Sequence, residues 1–314
     1  MEIKRLSVKD CESYQEELID YIFESVSLCA FETTFTQEDA VCKYKELKKY
    51  LKEDKAVSYG AVQGEQLCGF VWAYEYPFRD DGNRLYISIL HVGKEERGVG
   101  VGKQLLSHLE SEARQRGYNA IYLHAEAQNK GALSFYEREQ YRVERMQLVK
   151  KICEAEIMEK YPGGGYLKLN SEDVLFNQAE LAQLLKENVR AHRFMESFTM
   201  KDGAGKIKEL AQYVSEDKAL AYVFKDNDII AGFTWIYPYN YNHNWRYYIG
   251  VIQVAAAYRG RGIAPSLYCK AMKEILLRGV DIIYTHVDAA NTASLIMHHK
   301  CGFEEEQYQL VKYL

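Results

Sequence analysis

The sequence lacks the features that mark several classes of protein. Its seven cysteines are odd in number and include no Cys-x-x-Cys pair and no Cys/His ligand spacing, which argues against a disulfide framework and a structural zinc site. No apolar run approaches the roughly 20 residues that span a bilayer. The N-terminal stretch MEIKRLSVKDCESYQEEL contains no apolar core of a signal peptide. These absences predict a cytoplasmic protein with reduced thiols, no metal and no membrane partner.

A strong charge of one sign is also missing. The net charge is −5 and the pI about 6.0, so the chain lacks the broad basic footprint of a nucleic-acid-binding protein. The fractions of hydrophobic (47%) and charged (27%) residues are typical of a globular protein. Only four prolines occur, against 26 tyrosines, and tyrosine suits half-buried surfaces where an apolar ring carries a polar tip.

What the sequence does contain is a repeat. The segment KAVSYGAVQGEQLCGFVWAYEYPF, which begins at Lys55, aligns with KALAYVFKDNDIIAGFTWIYPYNY, which begins at Lys218. Nearly the same spacing relates Arg97 to Arg259, and both halves end in a strand that contains the residues QLVK. Because one register covers most of both halves, we predict two tandem copies of a single domain.

The copies are assigned to residues 1–152 and 164–314, each large enough to bury its own core. A linker is expected at 153–163, where a charged stretch is followed by PGGG, whose proline and glycines interrupt helices and strands. Hydrophobic periodicity predicts the same order in each copy: strand, helices, three strands, helix, strand, helix and a closing strand.

A glycine-rich loop stands between the fourth strand and the following helix, as RGVGVG at Arg97–Gly102 and RGRGIA at Arg259–Ala264. Small residues at such a junction let the backbone approach an anion. A P-loop is excluded because Arg97 replaces its first glycine, and a dinucleotide fingerprint because Lys103 replaces its third. The remaining pattern, R-x-x-G-x-[GA], describes either a plain connecting turn or an anion site, and its repetition favours the anion site.

With this pattern, and with Asn129, Ala132, Phe135 and Tyr136 spaced as N-x-x-A…FY, the chain resembles the GNAT superfamily of acyl-CoA N-acyltransferases over nearly all of both copies. The resemblance implies an α/β (α+β) fold of two tandem GNAT domains. Each would be a mixed, mostly antiparallel sheet of six or seven strands, flanked by helices and splayed between strands 4 and 5. In length and layout the chain is similar to the mycothiol synthases.

The resemblance implies acetyl-CoA as a co-substrate, held by helix N-terminal N–H groups without a metal. The backbone N–H near Leu90 would bind the acetyl carbonyl and stabilise the tetrahedral intermediate, and the backbone at Val92 would pair with the pantetheine arm. The cofactor-binding residues expected in the first copy are Leu90, Val92, Arg97, Gly98, Gly100, Gly102, Lys103 and Asn129. Those expected in the second copy are Val254, Arg259, Gly260, Gly262, Ala264 and Asn291.

The resemblance also places a general acid at Tyr136, whose phenol, with an ordinary pKa of about 10, is protonated at neutral pH. The alternative is a tyrosine of the core. The base is less well marked, because Tyr86 and Ser88 occupy the strand positions where many family members carry glutamate or histidine. Glu126, at the end of the fifth strand, is the candidate base instead. A solvated strand-end carboxylate, a helix cap and a water chain to carry the proton remain open alternatives.

The second copy departs from the pattern, since His298 stands at the position of Tyr136. We interpret this copy as degenerate and the first as catalytic. The reverse assignment, as in mycothiol-synthase-like proteins, stays open. The aromatic loops between the third and fourth strands of both copies, with Asp80, Asp81, Arg84 and Arg246, are a weak indication of an amine-binding pocket.

The function predicted from the sequence is direct transfer of an acetyl group from acetyl-CoA to a primary amine of a small molecule or peptide. The alternative is a non-catalytic protein that binds or senses acyl-CoA, because a clear base is missing. We expect the two copies to form an internal pseudo-dimer, and the whole chain to be a monomer or a homodimer.

Overall fold

The computed structural model describes residues 1–27, 35–77, 83–154, 165–190, 197–241 and 244–314. These residues form two compact units. Unit 1 contains residues 1–144 and 307–314, and unit 2 contains residues 145–306. Most of the predicted linker and the residues Asp80 and Asp81 lie outside the described residues.

Unit 1 is a mixed sheet with its helices. Its strands are β1 (Glu2–Arg5), β2 (Ala56–Gln63), β3 (Gln66–Pro77), β4 (Asn83–Val92), β5 (Ala120–Glu126), the start of β6 (Arg142–Lys151) and most of β12 (Glu304–Tyr313). Its helices are α1 (Val8–Ser13), α2 (Gln15–Ser27), α3 (Gln37–Lys52), α4 (Val101–Gln115) and α5 (Lys130–Arg138). The pairing order is β1-β2-β3-β4-β5-β12, and only β4 and β5 run parallel.

Unit 2 repeats this plan. Its strands are β7 (Tyr166–Lys168), β8 (Leu220–Asp226), β9 (Ile229–Tyr241), β10 (Asn244–Val254), β11 (Ile282–Asp288) and most of β6. Its helices are α6 (Ser171–Phe176), α7 (Gln178–Arg190), α8 (Met200–Ser215), α9 (Ile263–Leu277) and α10 (Thr292–Lys300). The pairing order is β7-β8-β9-β10-β11-β6, with β10 and β11 parallel. The mixed, mostly antiparallel fold predicted from the sequence is confirmed.

The closing strands are exchanged between the two halves of the sequence. Strand β12 pairs with β5 from Gln307 to Tyr313, whereas β6 pairs with β11 from Arg145 to Lys151. The sequence repeat predicts that each closing strand belongs to its own copy, and the pairing corrects that expectation. Because both strands contain the residues QLVK, side-chain pattern alone cannot distinguish the two pairings.

Local sequence sets the starts of the helices that precede each sheet. Helices α1, α3, α6 and α8 each begin with a capping box, in which an N-cap side chain and an aspartate three residues later satisfy each other's backbone N–H. The N-cap residues are Ser7, Thr36, Asn170 and Thr199. Helices α4 and α9, which follow the glycine-rich loops, have no side-chain cap.

The two faces of the unit 1 sheet are covered by different helices. Leu105 and Leu109 of α4 pack in one cluster with Ile121 of β5, and α1–α3 pack in another cluster with residues of β2–β4 such as Trp72. Each fully buried leucine contributes about 1.5–3 kcal/mol to folding. Since side chains alternate along a strand, the residues of β5 next to Ile121 point away from α4.

Candidate active site

Strands β4 and β5 diverge and open a cleft in unit 1. They pair in parallel only from Arg84–Tyr86 to Ala120–Tyr122, although both strands continue further. The register of β4 against β3 shifts between Ile87 and Ile89, which makes Ser88 the extra residue of a β-bulge. A bulge bends its strand and increases the local twist, so β4 turns away from β5 at this point.

Unit 2 opens in the same way. The parallel pairs of β10 with β11 are Tyr247 with Ile283 and Tyr248 with Tyr284, and the register shift of β10 makes Gly250 the extra residue. The bulge is therefore a property of both units, although serine occupies it in one and glycine in the other. Gly250 within a predicted strand was a signal for this bulge, whereas Ser88 gave none.

The glycine-rich loop of unit 1 leaves an open helix N-terminus. Gly98 and Gly100 have φ angles of 83° and 91°, in the left-handed region that favours glycine. Gly100 is the N-cap of α4, no side chain caps the helix, and its first turn carries no acidic residue. A Cβ atom at Gly98 or Gly100 would meet nothing within 4 Å. The N–H groups of the first turn therefore have no side-chain cap, and the loop before them is uncrowded, which suits a phosphate group.

An arginine fixes the loop to the end of β4. The exposed Arg97 donates a hydrogen bond from Nε to the backbone oxygen of Val92 at 3.0 Å, which holds its guanidinium beside the open helix. Lys103 in the first turn of α4 is also exposed, and its Nζ lies 4.0 Å from a carboxylate oxygen of Glu139. That these two cations bind an anion stays a prediction.

The loop of unit 2 keeps this geometry. Arg259 donates from Nε to the oxygen of Val254 at 3.1 Å, and Gly260 and Gly262 have φ angles of 77° and 76°. Ala264 follows in the first turn of α9. Arg261, which has no counterpart in unit 1, donates to the oxygen of Ala257 at 3.0 Å and lies over the ring of Tyr258.

The two asparagines of the sequence pattern act as helix caps. The Asn129 side-chain oxygen accepts the N–H of Ala132 at 3.0 Å at the start of α5. The Asn291 side-chain oxygen accepts the N–H of Ser294 at 3.1 Å at the start of α10. Their place in the structure is thus explained by capping, and their role toward a cofactor stays a prediction.

Helix α5 lies against the glycine-rich loop. A Cβ atom added at Gly102 would be 3.5 Å from the Phe135 ring and 3.6 Å from Val92, so β4, α4 and α5 meet there. Leu90, Phe135 and Tyr136 belong to the same hydrophobic cluster. Tyr136 is 7% exposed, and burial raises the pKa of its phenol above the ordinary value. The phenol is therefore protonated at neutral pH.

Glu126 ends β5 on the face opposite α4. Its side chain is buried, and Oε1 accepts a hydrogen bond from Gln307 Nε2 at 2.7 Å. The corresponding residue of unit 2, Asp288, is also buried and accepts the backbone N–H of Ala290 at 2.8 Å. Tyr86 packs against the rings of Tyr74 and Tyr122. Of the residues considered for the base, only Glu126 carries a carboxylate, and its role as the base stays a prediction.

His298 of unit 2 is held in a hydrogen-bonded pair with a tyrosine. Its Nε2 lies 2.6 Å from the Tyr268 hydroxyl, and its Nδ1 lies 2.8 Å from the backbone oxygen of Ser294. A carbonyl oxygen only accepts, so Nδ1 carries the hydrogen and Nε2 accepts from Tyr268. Burial lowers the pKa of His298 to about 4, and the ring is neutral at pH 7.

Two arginines assigned to an amine pocket lie elsewhere. Arg84 is fully buried and pairs with Glu144 at 2.8 Å, and Arg246 is 3% exposed and pairs with Glu306 at 2.6 Å. Both carboxylates belong to the closing strands β6 and β12, which lie far from the arginines in the chain, so these pairs could not be predicted from the sequence. The interpretation of Arg84 and Arg246 as pocket charges is therefore wrong.

The comparisons with known proteins agree with this arrangement. The model of the Acetyltransferase (GNAT) family matches twice, at residues 21–140 and 181–303. These two matches cover more than half of the chain. The chain belongs to the GNAT acetyltransferase family.

Individual relatives are more distant. N-alpha-acetyltransferase 30 from Schizosaccharomyces pombe is 33% identical over 81 residues, which are 26% of this chain and 54% of that protein. The match thus spans about half of that relative's length. A tandem GNAT protein from the clavulanic acid biosynthesis pathway is 14% identical, with 99% of this chain and 98% of that chain covered and a TM-score of 0.55. A GCN5-related N-acetyltransferase from Sphaerobacter thermophilus is 20% identical, with 99% and 95% covered and a TM-score of 0.58. These likenesses support the tandem GNAT fold.

Two further properties concern only the described part of the chain. None of its helices is both long enough and apolar enough to cross a membrane. Within the same residues, no group of three or more His, Cys, Asp and Glu side chains is arranged to hold a metal ion.

Proposed function

We propose that this GNAT protein transfers an acetyl group from acetyl-CoA to a primary amine in unit 1. The observation that carries the proposal is the meeting of three elements: the end of β4 at Val92, the open N-terminus of α4 at Gly102, and α5 with Phe135 and Tyr136. A thioester held along β4 would lie between the anion site and a buried phenol.

Different groups of unit 1 bind different parts of acetyl-CoA. The first-turn N–H groups of α4, Arg97 and Lys103 bind the pyrophosphate, which their charge and the helix dipole favour. The backbone of β4 beyond the bulge, from Leu90 to Val92, binds the pantetheine arm and the acetyl carbonyl. The N–H near Leu90 stabilises negative charge on the carbonyl oxygen as the amine adds.

Two side chains move the protons. Glu126 takes the proton that the amine loses as its nitrogen attacks the carbonyl carbon and the C–N bond forms. When the C–S bond breaks, Tyr136 gives its phenolic proton to the leaving thiolate, and the tyrosinate recovers a proton from solvent. General acid and base catalysis of this kind contributes about 10²–10⁴-fold each.

Unit 2 is proposed to bind acyl-CoA without catalysing transfer. Its loop and cleft match those of unit 1, but His298 has no proton to give toward the cleft, since its hydrogen-bearing Nδ1 faces Ser294. The name of the matched relative, an N-alpha-acetyltransferase, supports a peptide α-amine as one acceptor class beside small-molecule amines.

The test is turnover of acetyl-CoA with a panel of small primary amines and peptides, followed by both free thiol and acetylated product. The proposal expects thiol and product to appear in equal amounts with at least one amine. Thiol release without an acceptor product would favour the alternative of an acyl-CoA-binding protein that hydrolyses slowly. If calorimetry detects no acetyl-CoA binding, the proposal is wrong.

A further inference from the structure

One edge of β10 in unit 2 pairs with β9, and the other faces the opening toward β11. At the end of β10, Ala255 donates its N–H to the oxygen of Ala231 at 2.9 Å, on the β9 side. Hydrogen-bonded and non-hydrogen-bonded pairs alternate in an antiparallel ladder, so Gln253 is also directed at β9. The N–H and C=O groups of Ile252 and Val254 therefore point to the edge that faces the opening.

Both of these carbonyl groups are bonded by side chains of unit 2. Asn188, in the last turn of α7, has its Nδ2 atom 3.0 Å from the backbone oxygen of Ile252. A carbonyl oxygen only accepts, so the amide of Asn188 is the donor. The oxygen of Val254 accepts from Arg259, as described above. A side-chain amide thus occupies the strand edge just before the glycine-rich loop.

The end of α7 is anchored to β10 on both sides of this asparagine. Val189 packs in the same hydrophobic cluster as Val251 of β10. Glu187 accepts a hydrogen bond from Nε2 of Gln253 at 3.4 Å. Because the two neighbours of Asn188 both contact the strand, the helix fixes the position of its amide beside the Ile252 oxygen.

Unit 1 carries a serine at this helix position. Helices α2 and α7 begin at Gln15 and Gln178, and the same number of residues leads to Ser25 and to Asn188. The Ser25 hydroxyl donates to the backbone oxygen of Tyr21, within its own helix, at 2.7 Å. The amide that bonds the strand in unit 2 is therefore replaced in unit 1 by a hydroxyl on a shorter side chain.

The matching strand oxygen of unit 1 belongs to Leu90. Val92 and Val254 both accept from the arginine of their loop, and Leu90 and Ile252 stand two residues before them. Among the residues that the structure describes, no side chain donates to the oxygen of Leu90. The edge along which the pantetheine arm is proposed to lie thus differs between the two units.

We propose that Asn188 keeps the pantetheine arm of acyl-CoA from pairing with β10, so that unit 2 binds the pyrophosphate end of the molecule without its arm. This inference rests on the proposed function, in which the arm pairs with the edge of β4. In unit 2 an amide of the arm would have to displace the Asn188 amide, and one hydrogen bond would be lost for each that forms. Unit 2 therefore does not distinguish acyl-CoA from a nucleoside diphosphate, and it does not position a thioester.

The experiment titrates two probes calorimetrically into the full chain with one loop at a time disabled. Acetyl-CoA carries the pyrophosphate and the arm, and adenosine diphosphate carries the pyrophosphate alone. In Gly100→Glu, where unit 2 is the remaining site, we expect the two probes to bind within threefold of each other. A preference for acetyl-CoA of more than threefold in this chain, or binding of neither probe, would overturn the inference.

Exchange of the two helix residues locates the effect. Added to Gly100→Glu, Asn188→Ser should raise the affinity for acetyl-CoA about tenfold, which corresponds to one hydrogen bond, and leave that for adenosine diphosphate within twofold. Added to Gly262→Glu, Ser25→Asn should lower the affinity for acetyl-CoA by a similar factor. Ser25→Ala, which removes the hydroxyl without adding an amide, is the control and should stay within twofold.

Two results of this exchange would overturn the inference. One is an acetyl-CoA affinity that Asn188→Ser leaves unchanged, and the other is a loss in Ser25→Ala as large as that in Ser25→Asn. Equal affinity for adenosine diphosphate before and after each exchange shows that the chain is folded.

The two loop variants also separate this inference from the proposed function. Loss of acetyl-CoA binding in Gly262→Glu, where unit 1 is the remaining site, would contradict the proposed function. A preference for acetyl-CoA in Gly100→Glu, with binding and turnover retained in Gly262→Glu, would contradict only the inference about Asn188.

Discussion

Units 1 and 2 share a loop, a bulge and a splayed strand pair, yet differ in the helix that follows. In unit 1 the phenol of Tyr136 packs in a cluster with Leu106 of α4, an apolar side chain that forms no hydrogen bond. In unit 2 the position of Leu106 is taken by Tyr268, whose hydroxyl binds His298. The residue at this position is therefore surrounded by apolar side chains in unit 1, whereas in unit 2 it joins two helices through a hydrogen bond.

Because of this difference, the glycine-rich loop alone does not identify the catalytic unit. Backbone N–H groups, glycines and one arginine build the loop, and such a site survives changes of side chain elsewhere. In the proposed function the chemistry depends on a few side chains behind the loop, and these side chains differ between the two units.

The largest effect is expected for the buried ion pairs. Arg84→Met should lower the free energy of unfolding by about 3–5 kcal/mol, because it leaves a buried carboxylate without its cation. Gln309 and Tyr313 still donate to Glu144, while Gln147 donates to Glu306. Arg246→Met should therefore cost at least as much. Urea unfolding measures both.

The double variant Arg84→Met/Glu144→Leu is the control for these pairs. Replacement of both charges by apolar groups of similar volume is often neutral or stabilising, so this variant should recover most of the lost stability. Stability as low as that of the single variant would contradict the explanation.

The next effect concerns the loops. Gly100→Glu should weaken acetyl-CoA binding more than 100-fold in unit 1, since a carboxylate would enter the anion site. Gly100→Ala carries the same strain at a positive φ without the charge, and it should lose less than tenfold. Gly262→Glu should leave turnover within twofold of wild type. Turnover lost in Gly262→Glu alone would move catalysis to unit 2.

Acid should destabilise both units through one histidine each. The pKa values of His91 and His298 are lowered to about 4 from 6.5, mainly by burial. Between pH 6.5 and 4 these histidines bind protons in the unfolded chain but not in the native chain. Their contribution to the free energy of unfolding is therefore fully present above pH 6.5, falls as the pH drops, and is lost below pH 4. Each histidine accounts for at most about 3 kcal/mol.

Substitution by glutamine tests this pH dependence. His298→Gln and His91→Gln keep a polar group but remove the titration, so each should reduce the loss of stability between pH 6.5 and 4, as measured by urea unfolding at several pH values. An unchanged dependence on pH in both variants would mean that other groups cause it.

The smallest effect is expected for the arginine beside the loop. Arg97→Ala should raise the KM for acetyl-CoA about tenfold with kcat nearly unchanged, which corresponds to one charge-assisted hydrogen bond. Arg259→Ala serves as the matched control and should leave both constants unchanged. Equal effects of the two variants would indicate that both units turn over.

Much of this arrangement could be predicted from the sequence, because its signals are local. Alternating strands, helix periodicity and the two glycine-rich loops gave the order of elements and the position of Gly98 and Gly100. The spacing of Asn129 and Tyr136 placed both on the helix after β5, although the structure explains the asparagine as a cap.

The features that could not be predicted depend on strands far apart in the chain. Arg84 resembles a surface residue until β6 supplies Glu144, and Glu126 resembles an ordinary strand-end carboxylate until β12 supplies Gln307. The exchange of closing strands was hidden by their identical QLVK segments. A lone histidine also gives no sign of its partner, so the pair of His298 with Tyr268 required coordinates.

The most direct test of the account is single-turnover acetyl transfer by Tyr136→Phe and His298→Gln, with an amine that the wild type accepts. The account predicts that Tyr136→Phe slows transfer at least about 100-fold, with acetyl-CoA affinity unchanged, while His298→Gln transfers at the wild-type rate. Wild-type transfer by Tyr136→Phe, together with loss in His298→Gln, would contradict the claim that unit 1 is the catalytic unit.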